Sequence, residues 1–377
     1  MTRILLAPDK FKGSLSAADV ARALASGMLS VDSSLETVCL PVADGGDGTV
    51  DAAVTAGWDR MAVTCSGPTG EKVNTSYARR GDTAVVELAS AVGLELLPDG
   101  RPDALGASTF GLGTVIADAL EAGAERIVVG LGGSASTDGG AGMLSALGAR
   151  IVDADGNDVA LGGGALRGAV HLDLSGILPS ARNAVFELAC DVDNPLLGAT
   201  GAAAVYGPQK GAGPQELLYL EHGMRQWAHL VRGAIGRDLS GLAGTGAAGG
   251  TAFGAIAVLG AAAKPGIETV LELIDFGSAL ASADLVVTGE GSLDEQSLHG
   301  KAPIGVAHAA RAAGVPVITV AGRSVVALDR LRPYGITASY ALTDLEPDPR
   351  ISMRDAARFL HEVGRTLATT DILEGTS

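Results

Sequence analysis

Five times along this chain an apolar run with the pattern of a strand ends in a polar loop, and four of those loops carry glycine. The run 4–7 leads into Asp9-Lys10-Phe11-Lys12-Gly13-Ser14, and the run 40–42 into Asp44-Gly45-Gly46-Asp47-Gly48-Thr49. The run 127–129 opens onto Gly130-Leu131-Gly132-Gly133-Ser134-Ala135-Ser136-Thr137-Asp138-Gly139-Gly140. Residues 186–189 end at Asp191-Val192-Asp193-Asn194-Pro195, the loop without glycine, and 285–287 at Thr288-Gly289-Glu290-Gly291-Ser292. Strands that are apolar throughout are buried on both faces, as in a parallel sheet. Open α/β sheets bind ligands at strand C-termini, where amides freed by glycine can approach phosphate oxygens. One such loop says little; several in one chain point to an enzyme that handles phosphate.

The spacing between these loops sets the architecture. Ser16-x-x-Asp19 forms a capping box ahead of a helix carrying Val20, Leu24 and Met28 on one face, followed by a second strand at 38–42 and a short helix from about Asp47 closed by Gly57. The last hundred residues repeat the alternation: strand 285–287, helix 302–313, strands 317–320 and 335–341, and helix 352–368. Between these ends, 61–66, 72–79 and 83–88 are joined by Gly67-Pro68-Thr69-Gly70 and Arg80-Gly81-Asp82, the pattern of an antiparallel meander. Neither end has strands enough for a sheet of its own. The expected fold is therefore α/β: both chain ends (1–57 plus 281–377) build one Rossmann-like parallel sheet domain. Residues 58–280 form an inserted second α/β domain containing the meander, with the active site in the cleft between the two. Glu374–Ser377 is expected to fray.

Size and charge narrow the class. At 377 residues, two domains are the default, and 47% hydrophobic content permits sizeable cores. A formal net charge of −16 without clustered Lys and Arg argues against nucleic acid. It also means that an anionic substrate needs local cations or a metal at its site. Three widely spaced cysteines, Cys39, Cys65 and Cys190, fit a reduced cytoplasmic protein better than a disulfide framework. Met1-Thr2-Arg3 runs straight into the first strand, so no signal peptide is expected. Residues 240–263 are uncharged over 24 positions, but seven are glycine. They read as a glycine-rich loop feeding a buried helix rather than a membrane span.

The loop at Gly130 also satisfies a dinucleotide fingerprint, Gly130-x-Gly132-x-x-Ala135, with Asp153 about 20 residues on. Three more glycines follow within 134–142, leaving only 143–147 as firm helix, too short a crossover for a sound βαβ unit. A phosphate or nucleotide loop is preferred over an NAD site, with a structural glycine turn as the bland reading. Walker A is absent: Gly300-Lys301 is followed by Ala302, and Glu295 stands where the first glycine belongs.

Of 27 basic residues only six are lysine: Lys10, Lys12, Lys72, Lys210, Lys264 and Lys301. Lys10, Lys12, Lys210 and Lys301 stand in or beside glycine-bearing loops, where a compact ammonium can meet a phosphate or carboxylate. Chance in a small sample is the rival explanation. Asp191, Asp193 and Asn194 offer closely spaced oxygens of the kind that Mg²⁺ takes. Asp44 and Asp47 flank glycines, and Glu290 and Asp294 lie in or after a Gly-x-Gly turn. For each pair the bland reading is an N-cap or Asx turn. On residue type alone Asp47 and Asp138 read more naturally as caps, Asp191 as chemistry. The histidines show no metal-binding spacing; His299, beside Gly300-Lys301, is the one exception that merits a test.

Taken together the motifs resemble the class I glycerate kinase family. The blocks are 7–16 (Ala7-Pro8-Asp9-Lys10-Phe11-Lys12-Gly13-Ser14-Leu15-Ser16), 43–49, 132–140, Cys190-Asp191-Val192-Asp193-Asn194-Pro195-Leu196, Tyr206-Gly207-Pro208-Gln209-Lys210-Gly211, and 288–294. They stand in the family's order over about residues 3–370. The resemblance implies ATP-dependent phosphorylation of D-glycerate, a two-domain α/β fold and a Mg²⁺ requirement. Most bacterial members are similar to glycerate 2-kinases, so 2-phosphoglycerate is the implied product and 3-phosphoglycerate the alternative. The expected catalytic residues are Asp191, Lys10 and Asp44, with Asp191 and Asp193 as metal ligands. Lys12, Ser14, Gly45, Gly46, Lys210, Gly289, Glu290, Gly291, Ser292, Asp294 and Lys301 are expected to bind substrate or phosphate. Gly132, Gly133, Ser134, Thr137 and Asp138 are expected to bind nucleotide. The expected partners are small molecules only, with no nucleic acid or membrane, for a cytoplasmic monomer or homodimer. Two readings from other classes remain: an NAD-dependent dehydrogenase built on residues 130–135, and a nucleotide-sensing module, which Lys10 and Asp191 disfavour.

Overall fold

A computed structural model describes residues 2–369; the expected fraying of Glu374–Ser377 lies outside the described residues. In chain order the strands are β1 (Arg3–Pro8), β2 (Glu36–Cys39), β3 (Asp59–Ser66), β4 (Lys72–Arg80), β5 (Thr83–Glu87), β6 (Arg126–Gly130), β7 (Arg150–Val152), β8 (His171–Asp173), β9 (Val185–Ala189), β10 (Ala262–Lys264), β11 (Leu285–Leu293), β12 (Val317–Ser324) and β13 (Ile336–Ala341). The chain divides into two compact units. Of the described residues, 2–44, 51–57 and 266–369 form the first; 45–50 and 58–265 form the second. Residues 266–280, assigned to the insertion on sequence, thus belong to the first unit, and the loop 45–50 to the second.

The first unit is a five-stranded sheet in the order β13-β12-β11-β1-β2, with every pair parallel. Side chains alternate across it. Ile4, Leu6, Leu285 and Val287 share one buried cluster with Val20, Leu24, Met28, Phe359, Leu360 and Val363 of the helices Ala17–Val31 and Ala356–Thr369. Leu5, Ala7 and Val286 pack on the other face against Val306, Ala307 and Val270 of the helices Ala302–Ala312 and Gly266–Leu273. Each fully buried aliphatic side chain contributes about 1.5–3 kcal/mol. Ser16 caps the first helix as expected, its hydroxyl oxygen accepting from the Asp19 amide at 3.1 Å.

Three boundaries differ from the sequence reading. β2 ends at Cys39, although the amides of Leu40 and Val42 still donate to the carbonyls of Leu6 and Pro8 at 2.9 and 3.0 Å. The final helix is two, Pro349–Arg354 and Ala356–Thr369. Thr288-Gly289-Glu290-Gly291-Ser292 is not a loop: β11 runs through it, flanked by β1 at Thr288 and Gly289 and by β12 throughout.

The second unit holds a six-stranded mixed sheet, β10-β9-β6-β5-β4-β3, in which β10, β9, β6 and β5 are parallel and β5, β4 and β3 form the antiparallel meander. β7 and β8 make a separate antiparallel pair. Asp153 follows β7 there, accepting from the amides of Asp155 and Asn157, each at 2.9 Å. It is an Asx turn off the parallel sheet, so it cannot complete the dinucleotide fingerprint. Among the described residues no helix is long and apolar enough to cross a membrane; the glycine-rich stretch folds into the helix Ala247–Leu259.

The helices Ala17–Val31 and Ala356–Thr369 meet backbone to backbone. A Cβ on Gly27 would stand 2.1 Å from the His361 carbonyl oxygen, and one on Gly364 2.3 Å from that of Leu24. Gly27→Ala gains about 1 kcal/mol of helix propensity, but a backbone atom cannot rotate aside as a side chain can, and overpacking costs about 1–3 kcal/mol. The clash should win, giving a lower urea midpoint at unchanged m; a raised midpoint would show that the helices separate freely.

Candidate functional site

In the first unit the strand order places β2 to one side of β1 and β12 to the far side of β11. The chains leaving β1 and β11 therefore diverge, which opens a crevice at their C-terminal ends, the place where open α/β sheets bind ligands. A cavity of about 520 Å³ lies there, lined entirely by first-unit residues. The loop after β1 contributes Asp9, Lys10, Phe11, Lys12 and Ser14; Asp44 follows β2; β11 supplies Glu290, Gly291 and Ser292, with Asp294 and Lys301 beyond it. Gly291 lets the first loop lie flat on β11, since a Cβ there would stand 3.1 Å from the Lys12 amide nitrogen. Gly289 faces β12 instead, where a Cβ would stand 1.7 Å from the Val320 carbonyl oxygen. That close approach accounts for glycine there, and Gly289 is not among the residues that line the cavity.

The electrostatics of the cavity are tense. Asp9 is buried, and burial pushes its carboxyl well above the usual range, helped by the neighbouring Asp44 and opposed by the Lys10 amide, which donates at 2.6 Å. Glu290 is raised mainly by burial as well, with Asp294 and Asp44 adding repulsion against the pull of Ser297 and Lys301. Lys301 stands 3.8 Å from Glu290 Oε2, while Glu290 Oε1 is buried with no hydrogen-bond partner. Asp294 ends below its ordinary value: burial raises it, but Lys301 and the amides of Ser297 and Gln296 outweigh that. Crowded carboxylates beside lysines can accept a proton, take part in cation binding, or hold a hydroxyl. Ser14 has a definite job, its hydroxyl donating to the Met353 carbonyl at 2.6 Å, which latches the lysine loop to the helix Pro349–Arg354.

Sequence reasoning left out several of the lining residues, among them Asp9 and Arg323. Arg323 also lines the cavity, in register with Ser292 across β11 and β12, its Nη2 3.5 Å from the Ser292 hydroxyl. The signal was there in Gly322-Arg323-Ser324, a sixth polar strand-end and the fifth with glycine, hidden because the apolar run ends at residue 320.

The second unit gathers the other motifs at the C-terminal ends of its parallel strands. The loop 45–50 sits flush on β6: a Cβ on Gly130 would stand 2.7 Å from the Gly45 carbonyl oxygen, and one on Gly132 2.6 Å from Gly46 Cα. The Gly48 amide donates to Glu87 at the end of β5. Asp138 is fully buried and accepts from the Thr109 amide and hydroxyl, each at 2.8 Å, and from the amides of Gly140 and Gly142 at 3.1 and 3.2 Å. That is the work of a cap joining two helix starts. Ser134 and Thr137 are buried too, and Gly133 is the exposed point of the loop. Asp191 and Asp193 are exposed on the loop after β9, and Asn194 is tied down, accepting from the Tyr206 hydroxyl at 2.7 Å and donating to the Thr200 carbonyl at 2.8 Å. Among the described residues no three His, Cys, Asp or Glu side chains form a ready metal cage. Mg²⁺ does not need one, since it is usually held by one or two carboxylates, water and phosphate oxygens. The exposed Asp191 and Asp193 fit that role.

Lys210 lies behind the glycine loop rather than in front of it. It is buried, and its ammonium donates to the Ser136 carbonyl and to the Ser134 hydroxyl, the latter at 3.2 Å. Burial pulls its pKa down from 10.5 to about 7, with the charge of Asp138 opposing. Between those values the unfolded chain binds the proton that the folded protein has lost, so this residue's contribution to stability rises with pH across that window. Melting temperatures of the wild type and Lys210→Met should therefore move apart in favour of the wild type between about pH 7 and 10. A pH-independent difference would mean that the lysine stays charged.

The match to known proteins covers both units. A family model described as the glycerate kinase family matches residues 4–371. The chain is 43% identical over 371 residues to "Glycerate kinase" of Bacillus subtilis (strain 168), covering 98% of this chain and 97% of the relative. It is 43% identical over 344 residues to "Glycerate 2-kinase" of Escherichia coli (strain K12), covering 90% of each. A crystal structure from Salmonella typhimurium LT2, described as that of a candidate glycerate kinase 2, superposes with a TM-score of 0.85 at 40% identity over 100% of both chains. A similarity that holds across every motif block and both sheets leaves one assignment: this chain belongs to the glycerate kinase family.

Proposed function

We propose that this kinase transfers the γ-phosphoryl group of ATP to the 2-hydroxyl of D-glycerate, giving 2-phosphoglycerate and ADP. The observation that carries the choice of hydroxyl is the 43% identity, over 90% of both chains, to a relative named for the 2-position. The choice of a phosphoryl donor rests on family membership together with lysines set at strand ends beside carboxylates.

The chemistry asks for a proton acceptor at the glycerate hydroxyl and for fixed positive charge on the oxygens of the transferring group. Asp191, exposed at the end of β9, is proposed as base or metal ligand, and Lys10 and Lys12 as cations for anionic oxygens. Oxygen–phosphorus bond formation at C2 accompanies cleavage of the bond to the bridging oxygen of ADP, and the hydroxyl proton passes to a carboxylate. Mg²⁺, when bound, neutralises charge on the phosphates; Asp191 and Asp193 are the proposed protein ligands. Glu290 is a second carboxylate suited to proton transfer, because its raised pKa brings it nearer the working pH.

Release of ADP should require both D-glycerate and Mg²⁺, and NMR of the product should place phosphorus on C2. Phosphorus on C3 would move the acceptor, and reduction of NAD without ADP would end the kinase reading.

Asp191→Asn should lower kcat by about 10²–10⁴-fold with the fold intact, the range for a lost general base. Near wild-type turnover at saturating Mg²⁺ would leave Asp191 a turn residue and direct the same test to Glu290→Gln. For Lys10→Ala, a rise in KM alone identifies a cation that binds ground state and transition state equally, whereas a fall in kcat identifies one that acts in the transition state. The expected outcome is a fall in kcat.

A further inference from the structure

The segment from Tyr206 to Gly211 reaches two strand-end loops of the second unit at once. At one end Lys210 is buried behind the loop after β6, its ammonium donating to the Ser136 carbonyl and, at 3.2 Å, to the Ser134 hydroxyl. At the other end the Tyr206 hydroxyl donates to Asn194 Oδ1, in the loop after β9, at 2.7 Å. The turn between them is tight. The Lys210 and Ala212 amides both donate to the Gly207 carbonyl at 3.0 Å, and a Cβ on Gly207 would stand 2.4 Å from the Ala203 carbonyl oxygen. β6 and β9 are neighbours in the sheet, so one short piece of chain can span both of their loops.

Asn194 turns that reach into a clamp. A primary amide offers an acceptor oxygen and an NH₂ donor; here Oδ1 accepts from Tyr206 and Nδ2 donates to the Thr200 carbonyl at 2.8 Å. The Asn194 backbone carbonyl accepts from the Gly246 amide at 2.8 Å. A Cβ on Gly246 would stand 2.3 Å from the Pro195 carbonyl oxygen, so the two backbones touch there. On the strand side the Cys190 amide donates to the Lys264 carbonyl of β10 at 3.0 Å. Asp191, Val192 and Asp193 therefore bridge two fixed points, and side chains on so short a bridge take their places from its ends.

We propose that Tyr206 is a positioning residue for the reaction: through Asn194 it fixes the loop after β9, which presents the carboxylates of Asp191 and Asp193. Lys210 anchors the far end of the same segment and so keeps Tyr206 in place. This rests on the reading of Asp191 as base or metal ligand, and goes beyond it in naming what holds that loop still. A displacement of about 1 Å at a reacting group can cost about 10²-fold in rate, whereas one half-buried hydrogen bond adds little to folding stability. The hydroxyl of Tyr206 therefore matters more to turnover than to the fold.

The test is Tyr206→Phe, which keeps the ring and removes only the hydroxyl. Its kcat should fall about 10–100-fold while the KM values for ATP and D-glycerate stay within about twofold, and its melting temperature should drop by no more than about 3 °C. Hydrogen exchange gives a readout that needs no turnover: the Leu196 and Gly246 amides should exchange about tenfold faster in the variant, with those of β9 unchanged. Unchanged exchange at Leu196 and Gly246, or an unchanged kcat, would overturn the proposal even if Asp191→Asn is inactive. Full turnover by Asp191→Asn, beside a slow Tyr206→Phe with fast exchange, would end the reading of Asp191 alone and support a clamp that acts through Asp193.

Discussion

The first unit depends on a pairing between the two ends of the chain. β1 lies beside β11 in parallel, Ile4 opposite Leu285, so a strand from the first ten residues is completed by one almost 300 positions later. Closing so long a loop is entropically costly, though the cost grows only logarithmically with length. The return comes from burial on both faces, because residues of the β1–β11 pair contribute to two separate apolar clusters. The same pairing creates the crevice. Since β1 continues to β2 and β11 to β12 on opposite sides, the loops that leave them must part, and the cavity lies where they do.

Within that crevice polar groups are held under tension. Asp9 and Glu290 are buried near Asp44, and their carboxyls are raised above their ordinary values. Such an arrangement destabilises the folded state at neutral pH, because charged forms are disfavoured by burial and by one another. Folds keep such strain where a ligand, proton or cation relieves it. The second unit shows the contrasting case. Asp138 is deeply buried yet satisfied on every side by hydroxyl and amide donors, and it stiffens the loop that the sequence marked as nucleotide-binding.

Glycine accounts for much of the difference between reading and structure. In sequence, glycine with Ser, Thr and Asp signals a loop, and Gly289 and Gly291 were read that way. In β11 the backbone pairs with its neighbours regardless of side chain, and glycine is selected because another backbone passes too close for a Cβ. Gly130 and Gly132 serve the same end beneath the loop 45–50. A composition signal cannot separate a backbone that approaches a phosphate from one that approaches another backbone.

Local pattern alone sufficed for the α/β class, the antiparallel meander, the Ser16 cap and the joining of both chain ends in one sheet. Each follows from periodicity or side-chain chemistry within a few residues, together with a count of strands. The motif blocks sufficed for the family. The direction in which each polar side chain points was settled only by tertiary packing. Lys210 turns inward to hold Ser134 and Ser136, Ser14 spends its proton on Met353, and Arg323 reaches the cavity only because β12 lies in register with β11. Those are contacts between residues distant in the chain, and no local rule of spacing carries them.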